Sequence, residues 1–444
     1  MPVRFFLVLW LMVLGAIALV DRTNISIAGI EIGREYHIDN VHLGWVFSAF
    51  LLGYALFQVP GGVLARRFGP RRVITFGVVW WGVFTALTAV ALPGTRTALV
   101  TLILVRAALG AGEAVMFPAA NQFVERWIPI PERGRANGIL FSGVGLGSAL
   151  APPLITAIIL RDGWQVSFWF CAVLGLVAAA VWYVAARDTP EQHPWVSTAE
   201  RERIRGGRGD MSAGGGSQPP NGAAQKSTIP WGAILSSKEI LALSASYFCY
   251  GYVSWIFFSW FYIYLAKVRG LSLQKSALYS MLPFLAMIAG ALIGGLASDW
   301  LCRHVSLRAG RVYLPSFAFV LTAVLLAVGS RAHAASTASL VLAGGAGALY
   351  ISQSAFWSVT ADCAGQCAGV ASGFMNMSGH IAAAITAIVT PLIAAHFGWV
   401  ASFLTASVMA TLGAASWLAV DPAARLAQAP GASAVTAASL PYVE

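Results

Sequence analysis

Charged residues are scarce in this sequence of 444 amino acids: they make up only 10% of it, while hydrophobic residues make up 58%. A soluble domain carries roughly 25% charged residues, because a surface that faces water needs charge. One soluble core of this size is also excluded, since hydrophobic cores stop growing at about 250–300 residues. The composition therefore predicts a chain that faces lipid.

Motifs for enzymatic or metal chemistry are also missing. The glycine-rich stretch from Gly143 to Gly147 lies inside an apolar run with no following lysine, which indicates helix packing rather than a nucleotide loop. No Ser/His/Asp set is present, and no second Cys or His pair stands near the one close cysteine pair to complete a zinc site. The cysteines are Cys171, Cys249, Cys302, Cys363 and Cys367. We therefore expect no enzyme, no metal and no cofactor.

Twelve apolar runs fill most of the chain. A helix needs roughly 20 apolar residues to cross about 30 Å of hydrocarbon. The runs lie near residues 5–29, 43–64, 73–92, 98–121, 136–160, 164–186, 239–266, 276–298, 310–330, 336–358, 368–394 and 399–420. They predict an all-α polytopic membrane protein with twelve transmembrane helices.

The runs fall into two groups of six, residues 1–186 and 237–420. Between them, residues 187–236 read as a linker with a charged surface helix near Glu200–Arg205 and a disordered part, and residues 421–444 as a disordered tail. The segment Gly62–Gly69 after the second run resembles Gly295–Asp299 after the eighth, about half a chain later. An internal repeat of six spans is typical of transporters that expose one central site alternately to the two sides.

Lysine and arginine set the expected orientation. With the N-terminus inside, inner segments collect 19 of them and outer segments 7, and such an excess marks the cytoplasmic side. Both termini are therefore expected in the cytoplasm, with the chain in a bacterial inner membrane. This topology also accounts for the net charge of +10, so nucleic acid is not an expected partner. We expect a monomer in the lipid bilayer.

Four ionisable residues interrupt otherwise uncharged spans: Asp21 and Arg22 in span one, and Arg106 and Glu113 in span four. A charge at mid-membrane costs at least roughly 2.5–3.5 kcal/mol, so such residues face each other or a polar cavity. Arg106 and Glu113 are seven apart and share a helix face, whereas Asp21 and Arg22 point about 100° apart. Arginine binds carboxylates, and a buried acid can exchange a proton. The set predicts anion binding coupled to protons; the alternative is fixed ion pairs that bridge the two spans.

Other candidates carry weaker signals. Tyr54 and Asn376 could donate hydrogen bonds to a ligand or join helices, and His380, one turn beyond Asn376, could titrate or simply pack. Trp357 and Ser358 end the tenth apolar run, where Trp is often an interfacial anchor. The aromatic residues of span seven read first as packing residues: Tyr247, Tyr250, Tyr252 and Trp255.

At this point the chain resembles the anion:cation symporter family of the major facilitator superfamily, over essentially its whole length. The first-half segments that carry the resemblance are Asp21–Ser26, Gly53–Tyr54, Val59–Gly62 and Arg106–Pro118, and those of the second half are Cys249–Val253, Trp255–Phe258 and Gly373–Asn376. The family imports organic anions such as sugar acids with protons. The resemblance implies proton handling by Asp21 and Glu113 and substrate or coupling roles for Arg22 and Arg106. It also places Tyr54 and Asn376 in the lining of the site.

The chain departs from the family pattern at several positions. Ala18 and Leu19 stand where Asn and Tyr are frequent, and His380 where Asn is common, so the polar lining differs. Arg66 replaces the usual acid of the gating motif after span two, while Asp299 retains it after span eight. The expected partners are thus a small organic anion and protons.

The expected function is proton-coupled import of a small organic anion. The rivals are proton-coupled export of a metabolite or drug, and a membrane sensor. Exporters of this superfamily usually carry Gly-Pro in span five, which is absent from Gly143–Pro153. A sensor would need a folded soluble domain, and the 187–236 linker is too short and too polar.

Overall fold

In the part of the chain that the structure describes, twelve segments are long and apolar enough to cross a membrane, which confirms the predicted number. The computed structural model describes residues 2–90, 95–129, 132–207, 231–364 and 368–424, and these ranges contain helices and turns but no β-strand. The first half comprises α1 (Val3–Glu35), α2 (Asn40–Phe68), α3 (Pro70–Ala89), α4 (Thr95–Glu113), α5 (Met116–Trp127), α6 (Arg133–Asp162) and α7 (Trp164–Ala185).

Three helical pieces of the linker follow: a 3₁₀ turn (Pro190–Gln192), α8 (Thr198–Gly207) and α9 (Trp231–Ser236). The second half comprises α10 (Lys238–Ser259), α11 (Phe261–Ile263), a π-helical turn (Tyr264–Val268), α12 (Leu273–His304), a second π-helical turn (Ala309–Tyr313), α13 (Leu314–Arg331), α14 (Ala335–Ile351), α15 (Gln353–Ala364), α16 (Ala368–Phe397) and α17 (Trp399–Leu418).

Helix packing repeats between the two halves. In each half the first span packs on the fifth, the second on the fourth and the third on the sixth; the pairs are α1/α6, α2/α4 and α3/α7, then α10/α16, α12/α14 and α13/α17. Across the seam between the halves, α2 packs on α16 and α6 packs on α12. In the repeat, α2 corresponds to α12 and α6 to α16, so each of these two contacts is the counterpart of the other. This is expected for halves related by pseudo-twofold symmetry.

Single glycines make the tightest turns between spans. Gly69, Gly163 and Gly398 each form the one-residue connection between consecutive helices, with φ of 85°, 92° and 83°. Residues with a side chain rarely adopt positive φ, because Cβ meets the following carbonyl. The glycines therefore allow neighbouring spans to reverse direction within one residue.

Glycines also allow α2 and α4 to cross at backbone distance. A Cβ atom on Gly53 would overlap the carbonyl oxygen of Ala107, and one on Gly110 would overlap the carbonyl oxygen of Phe50. Small residues at a membrane helix crossing permit this close approach. The crossing fixes the position of Arg106, which precedes Ala107 on α4.

Spans four and ten are broken, although each was predicted as one continuous run. Span four breaks at Ala114 and Val115, directly after Glu113, and Pro118 contributes because it cannot donate to the carbonyl four residues earlier. Span ten breaks at Ser352 and then continues as α15 to Ala364. Trp357 and Ser358 therefore lie inside α15, and the prediction that they end the span is wrong.

The linker helix α8 lies against the start of α1, and it confirms the helix predicted at Glu200–Arg205. The Glu200 carboxylate accepts the backbone N–H groups of Val3 and Arg4, each at 3.2 Å, and so caps α1. Arg4 is only 4% exposed and also pairs with Glu132 at 2.9 Å. The predicted disordered segment after Arg208 and the tail from Arg425 onward lie outside the described residues.

The seam is closed on the membrane side where α1 ends, here called the Glu35 side. Phe47 of α2 packs on Trp260, with ring centroids 5.2 Å apart, and Thr156 of α6 shares a hydrogen bond with Tyr262 of α11 at 3.1 Å. Gly44 contacts the backbone of Ala387 in α16. All three contacts join the first half to the second.

Candidate functional site

An ion pair between Arg22 and Glu113 lies in the middle of the bundle. Arg22 Nε donates to Glu113 Oε1 at 3.1 Å, and Nη2 donates to the same oxygen. The side chains are 8% and 0% exposed. Glu113 Oε2 is buried and has no hydrogen-bond partner within the described ranges. One carboxylate oxygen thus holds the guanidinium, while the other is left unsatisfied at the break in span four.

Asp21 points away from this pair. Its Oδ2 accepts a hydrogen bond from Thr85 of α3 at 2.5 Å, and its Oδ1 is buried with no partner in the part of the chain that the structure describes. Successive helical residues diverge by about 100°, so the neighbours Asp21 and Arg22 reach different surroundings as predicted. Asp21 belongs to the interior of the first half, and Arg22 belongs to the seam.

Arg106 is the most isolated charge of the site. It is 1% exposed, and its Nε and Nη1 atoms have no hydrogen-bond partner among the described residues. Its guanidinium carbon lies 4.9 Å from the ring centroid of Phe50, and that of Arg22 lies 5.2 Å from the same ring. Fixed ion pairing between spans one and four therefore accounts for Arg22 and Glu113, but not for Arg106.

Four side chains from four spans form a closed ring of contacts, here called the seam box: Arg22, Tyr54, His380 and Trp255. Arg22 lies 4.6 Å from the Tyr54 ring, and Tyr54 stacks on His380 at 4.9 Å. His380 lies 6.2 Å from Trp255, whose ring is 5.7 Å from Arg22. Two members come from each half, so two of the four contacts cross the seam.

A hydrogen bond between the two halves lies beside the seam box. Asn376 of α16 donates to Gln58 Oε1 of α2 at 3.2 Å. His380 Nδ1 lies 3.0 Å from the backbone carbonyl oxygen of Asn376. A carbonyl oxygen only accepts, so Nδ1 carries the proton and donates this hydrogen bond. Tyr54 and Gln58 are one turn apart, as are Asn376 and His380, and the antiparallel helices α2 and α16 bring the two pairs together.

Three predicted residues lie outside this group of contacts. Trp357 is 38% exposed and packs edge-on against Tyr247 at 6.4 Å, and Ser358 follows it on α15. Asp299 pairs with Arg311 at 3.7 Å, with 60% of its side chain exposed. The side chain of Arg66 lies outside the described part of the chain. The gating roles of Arg66 and Asp299 stay predictions.

Several members of the site were not predicted. Phe50 and Thr85 occur in apolar runs where such residues are ordinary, and Trp255 was read as packing. Gln58 offered the clearest signal, because an amide within an apolar span needs a partner. In the described part of the chain, no group of three or more His, Cys, Asp or Glu could hold a metal ion.

Comparison with known proteins identifies the family. Residues 11–387 match the sequence model of the Major Facilitator Superfamily. The chain is 33% identical over 398 residues to the probable anion transporter 4, chloroplastic, of Oryza sativa subsp. japonica, which covers 89% of this chain and 65% of that protein.

Two bacterial relatives have similar identity. The probable sulfoacetate transporter SauU of Cupriavidus necator is 30% identical over 91% of both chains. The probable galactarate/D-glucarate transporter GudP of Escherichia coli K12 is 31% identical over 68% of this chain and 67% of its own length.

Solved structures show the same fold at low sequence identity. A bacterial homolog of the human lysosomal transporter Spinster, in an inward-facing and unoccupied conformation, aligns with a TM-score of 0.75 at 17% identity, covering 94% of this chain and 97% of that one. A D-xylose–proton symporter aligns with a TM-score of 0.71 at 14% identity, covering 95% and 99%. Because the family model matches residues 11–387, the chain belongs to the Major Facilitator Superfamily.

Proposed function

We propose that this protein imports a small organic anion together with protons by alternating access. The observation that carries the proposal is the Arg106 side chain: the residue is 1% exposed, and its Nε and Nη1 atoms find no hydrogen-bond partner in the described residues. A buried charge without a full set of partners is costly, so a site that keeps one is built for a partner that arrives later. Arginine's planar fork matches a carboxylate, sulfonate or phosphate group.

Charge balance links the anion to protons. With both acids ionised, Asp21 and Glu113 neutralise Arg22 and Arg106, so an arriving monoanion would leave an excess negative charge in a medium of low dielectric constant. A proton on one of the two acids restores neutrality. Glu113 Oε2 and Asp21 Oδ1 are buried and lack hydrogen-bond partners among the residues that the structure describes, so they are the oxygens available to receive it. We therefore expect one proton for each negative charge of the substrate.

The relatives agree with an acidic substrate. The bacterial relatives are named as probable transporters of sulfoacetate and of galactarate or D-glucarate. Relatives from Arabidopsis thaliana are named as an ascorbate transporter and a sodium-dependent phosphate transport protein. Every one of these molecules bears an acidic group that two arginines would bind. The proposed substrate class is accordingly a small organic acid, with sugar acids foremost.

The proposed orientation places both termini and the linker in the cytoplasm of a bacterial cell, following the excess of Lys and Arg in those segments. The Glu35 side would then face outward. Rocking of the halves would open that seam to admit the anion, and would close it again before release to the inside.

The test is uptake of labelled acids into proteoliposomes. The panel contains galactarate, glucarate, sulfoacetate, ascorbate and phosphate, each measured with an inward proton gradient, with an inward sodium gradient and with neither. We expect uptake of at least one organic acid only with the proton gradient, and its loss in Arg106→Ala. Outward movement under the inward proton gradient would identify an exporter instead. Movement of no acid under either gradient would leave the four charges structural and reject transport of these substrates.

A further inference from the structure

Trp255 is the contribution of the second half to the surroundings of Arg22. Three aromatic rings lie within 5.7 Å of the Arg22 guanidinium carbon: Phe50 and Tyr54 from α2, and Trp255 from α10. Glu113, Phe50 and Tyr54 all belong to the first half. The Trp255 ring is therefore a contact through which the second half bears directly on this cation.

Aromatic rings and carboxylates contact different parts of a guanidinium group. An aromatic ring attracts the cation through its π-face, typically within about 6 Å of the ring centroid. A carboxylate instead accepts N–H groups at the edge of the planar fork, as Glu113 does from Nε and Nη2. A carboxylate can thus leave or replace another at the edge while the rings keep their contacts.

We propose that Trp255 is a positioning residue: its ring holds the Arg22 guanidinium in the orientation that binds the substrate anion. Since Trp255 and Arg22 belong to different halves, the indole reaches Arg22 only when the halves meet at this level. Closure of the seam would then orient the fork at the moment when the anion replaces Glu113 on it. This inference rests on the proposed function, because it assigns Arg22 to the substrate.

Packing alone does not account for Trp255. Trp260, five residues later, is 0% exposed, and it also packs across the seam, on Phe47. Trp260 has no arginine against its ring among the described residues. Trp255 is only partly buried and contacts Arg22, His380 and Phe258. The two tryptophans thus form a matched pair, since both lie at the seam but only Trp255 faces the cation.

The experiment measures KM and the maximal rate of proton-driven uptake, per reconstituted protein, for the acid that the wild-type protein transports. We expect Trp255→Leu to raise KM about tenfold, the effect of losing a partly desolvated cation–π contact. Trp255→Phe should restore most of the affinity, because it keeps a π-face. Trp260→Leu should lower the maximal rate or the yield of folded protein and leave KM near the wild-type value.

The outcomes separate this inference from the proposed function. Absence of proton-driven acid uptake by the wild-type protein would reject the function itself. Wild-type uptake combined with an unchanged KM in Trp255→Leu would reject the role of Trp255 alone. Equal KM values for Trp255→Leu and Trp255→Phe would also reject it. Equal values would mean that residue 255 only fills space, because Leu and Phe differ in whether they offer a π-face to the guanidinium.

Discussion

At the scale of single residues, Arg106 provides the sharpest test of anion binding. Its guanidinium is buried, and its Nε and Nη1 atoms have no hydrogen-bond partner among the described residues, whereas Arg22 is already paired with Glu113. We expect Arg106→Ala to reduce uptake by at least about 100-fold, the usual cost of truncating one partner of a buried charged contact. Arg106→Lys should recover part of this, because it restores the charge without the planar fork.

The control for this prediction is Arg161→Ala at the end of α6. Its side chain is 86% exposed, and it lies 3.8 Å from the neighbouring Asp162, an exposed contact worth little. Initial rates of labelled uptake should therefore match the wild-type protein. Comparable losses in Arg106→Ala and Arg161→Ala would indicate a general effect of positive charge rather than a binding role.

Glu113 separates coupling from binding. Glu113→Gln keeps a carbonyl oxygen for Arg22 but removes the carboxylate to which the proposal assigns proton uptake. We expect exchange of labelled for unlabelled substrate to persist without a gradient, while accumulation driven by a proton gradient disappears. The same substitution at Glu125, an exposed residue on the same span, should leave accumulation intact. Gradient-driven accumulation by Glu113→Gln would move the coupling proton to another residue, with Asp21 the next candidate.

The four charges were predictable because charge inside an apolar run is conspicuous in a sequence. Their partners were not. Phe50 and Trp255 are among the aromatic residues that are ordinary in membrane helices, and only the packing of helices distant in sequence distinguishes a ring that faces a guanidinium. The pairing of Arg22 with Glu113, rather than with its neighbour Asp21, likewise depends on how α1 rotates against α4.

At the scale of helices, the crossing of α2 and α4 is controlled by glycine. A methyl group on Gly110 would overlap the backbone of Phe50, whereas nothing lies within 4 Å of a Cβ on Gly138 of α6. We expect Gly110→Ala to push the helices apart, displace the Phe50 ring from Arg106, and lower both folded yield and uptake. Gly138→Ala should be neutral or slightly stabilising, because alanine favours helix.

Monodisperse yield in detergent and initial uptake rate measure both variants. A Gly110→Ala protein with wild-type yield and wild-type uptake would contradict the requirement for contact at the backbone. The sequence indicated tight packing at its glycines but did not identify which helix each one meets, because the crossing partner is a tertiary property.

The contact between α8 and the rest of the first half should make stability depend on pH, because Arg203 of α8 and Arg4 of α1 both pair with Glu132. Burial raises the pKa of Glu132, but the hydrogen bonds and charges of Arg4 and Arg203 outweigh it, so its pKa is held below the ordinary 4.5. This contribution to stability is fully present above the ordinary pKa. It is lost as pH falls through the lowered value, since the protonated carboxyl releases both arginines.

The thermal midpoint in detergent, measured between pH 7 and pH 3, tests this expectation. Glu132→Gln keeps an acceptor oxygen but removes the negative charge, so it should lower the midpoint at pH 7 by weakening the charge-assisted hydrogen bonds from Arg4 and Arg203, a cost of about 1 kcal/mol. The difference from the wild-type protein should shrink toward the acid end. Glu202→Gln, an exposed position on α8, serves as the control and should follow the wild-type curve throughout. A constant difference at every pH would show that the charge of Glu132 is not what stabilises the linker.

The breaks in spans four and ten could not be predicted from the sequence. Spans four and ten read as uninterrupted apolar runs, because Ala114, Val115 and Ser352 are all compatible with helix. Pro118 was visible, but a proline in a membrane helix does not by itself give the position of a break. The breaks occupy corresponding spans of the two halves, as is typical of transporters whose site lies at their interface.

At the scale of the whole molecule, the repeat was predictable from two related segments half a chain apart, and the packing of both halves reproduces it. The seam was not predictable in the same way. Its contacts join residues more than 100 positions apart, such as Thr156 with Tyr262, and neither of these residues carries a signal in the sequence. Alternating access would require this seam to open and close.

A reversible tether across the Glu35 side should therefore stop transport. In a background without the five native cysteines, Thr156→Cys and Tyr262→Cys would be joined by a reducible bifunctional thiol reagent, since their wild-type hydroxyl groups lie 3.1 Å apart. We expect cross-linking to abolish uptake and reduction to restore it, while either single-cysteine variant with the same reagent keeps its activity. If the halves instead moved as one body and the anion passed by another route, the cross-linked protein would transport at its untreated rate.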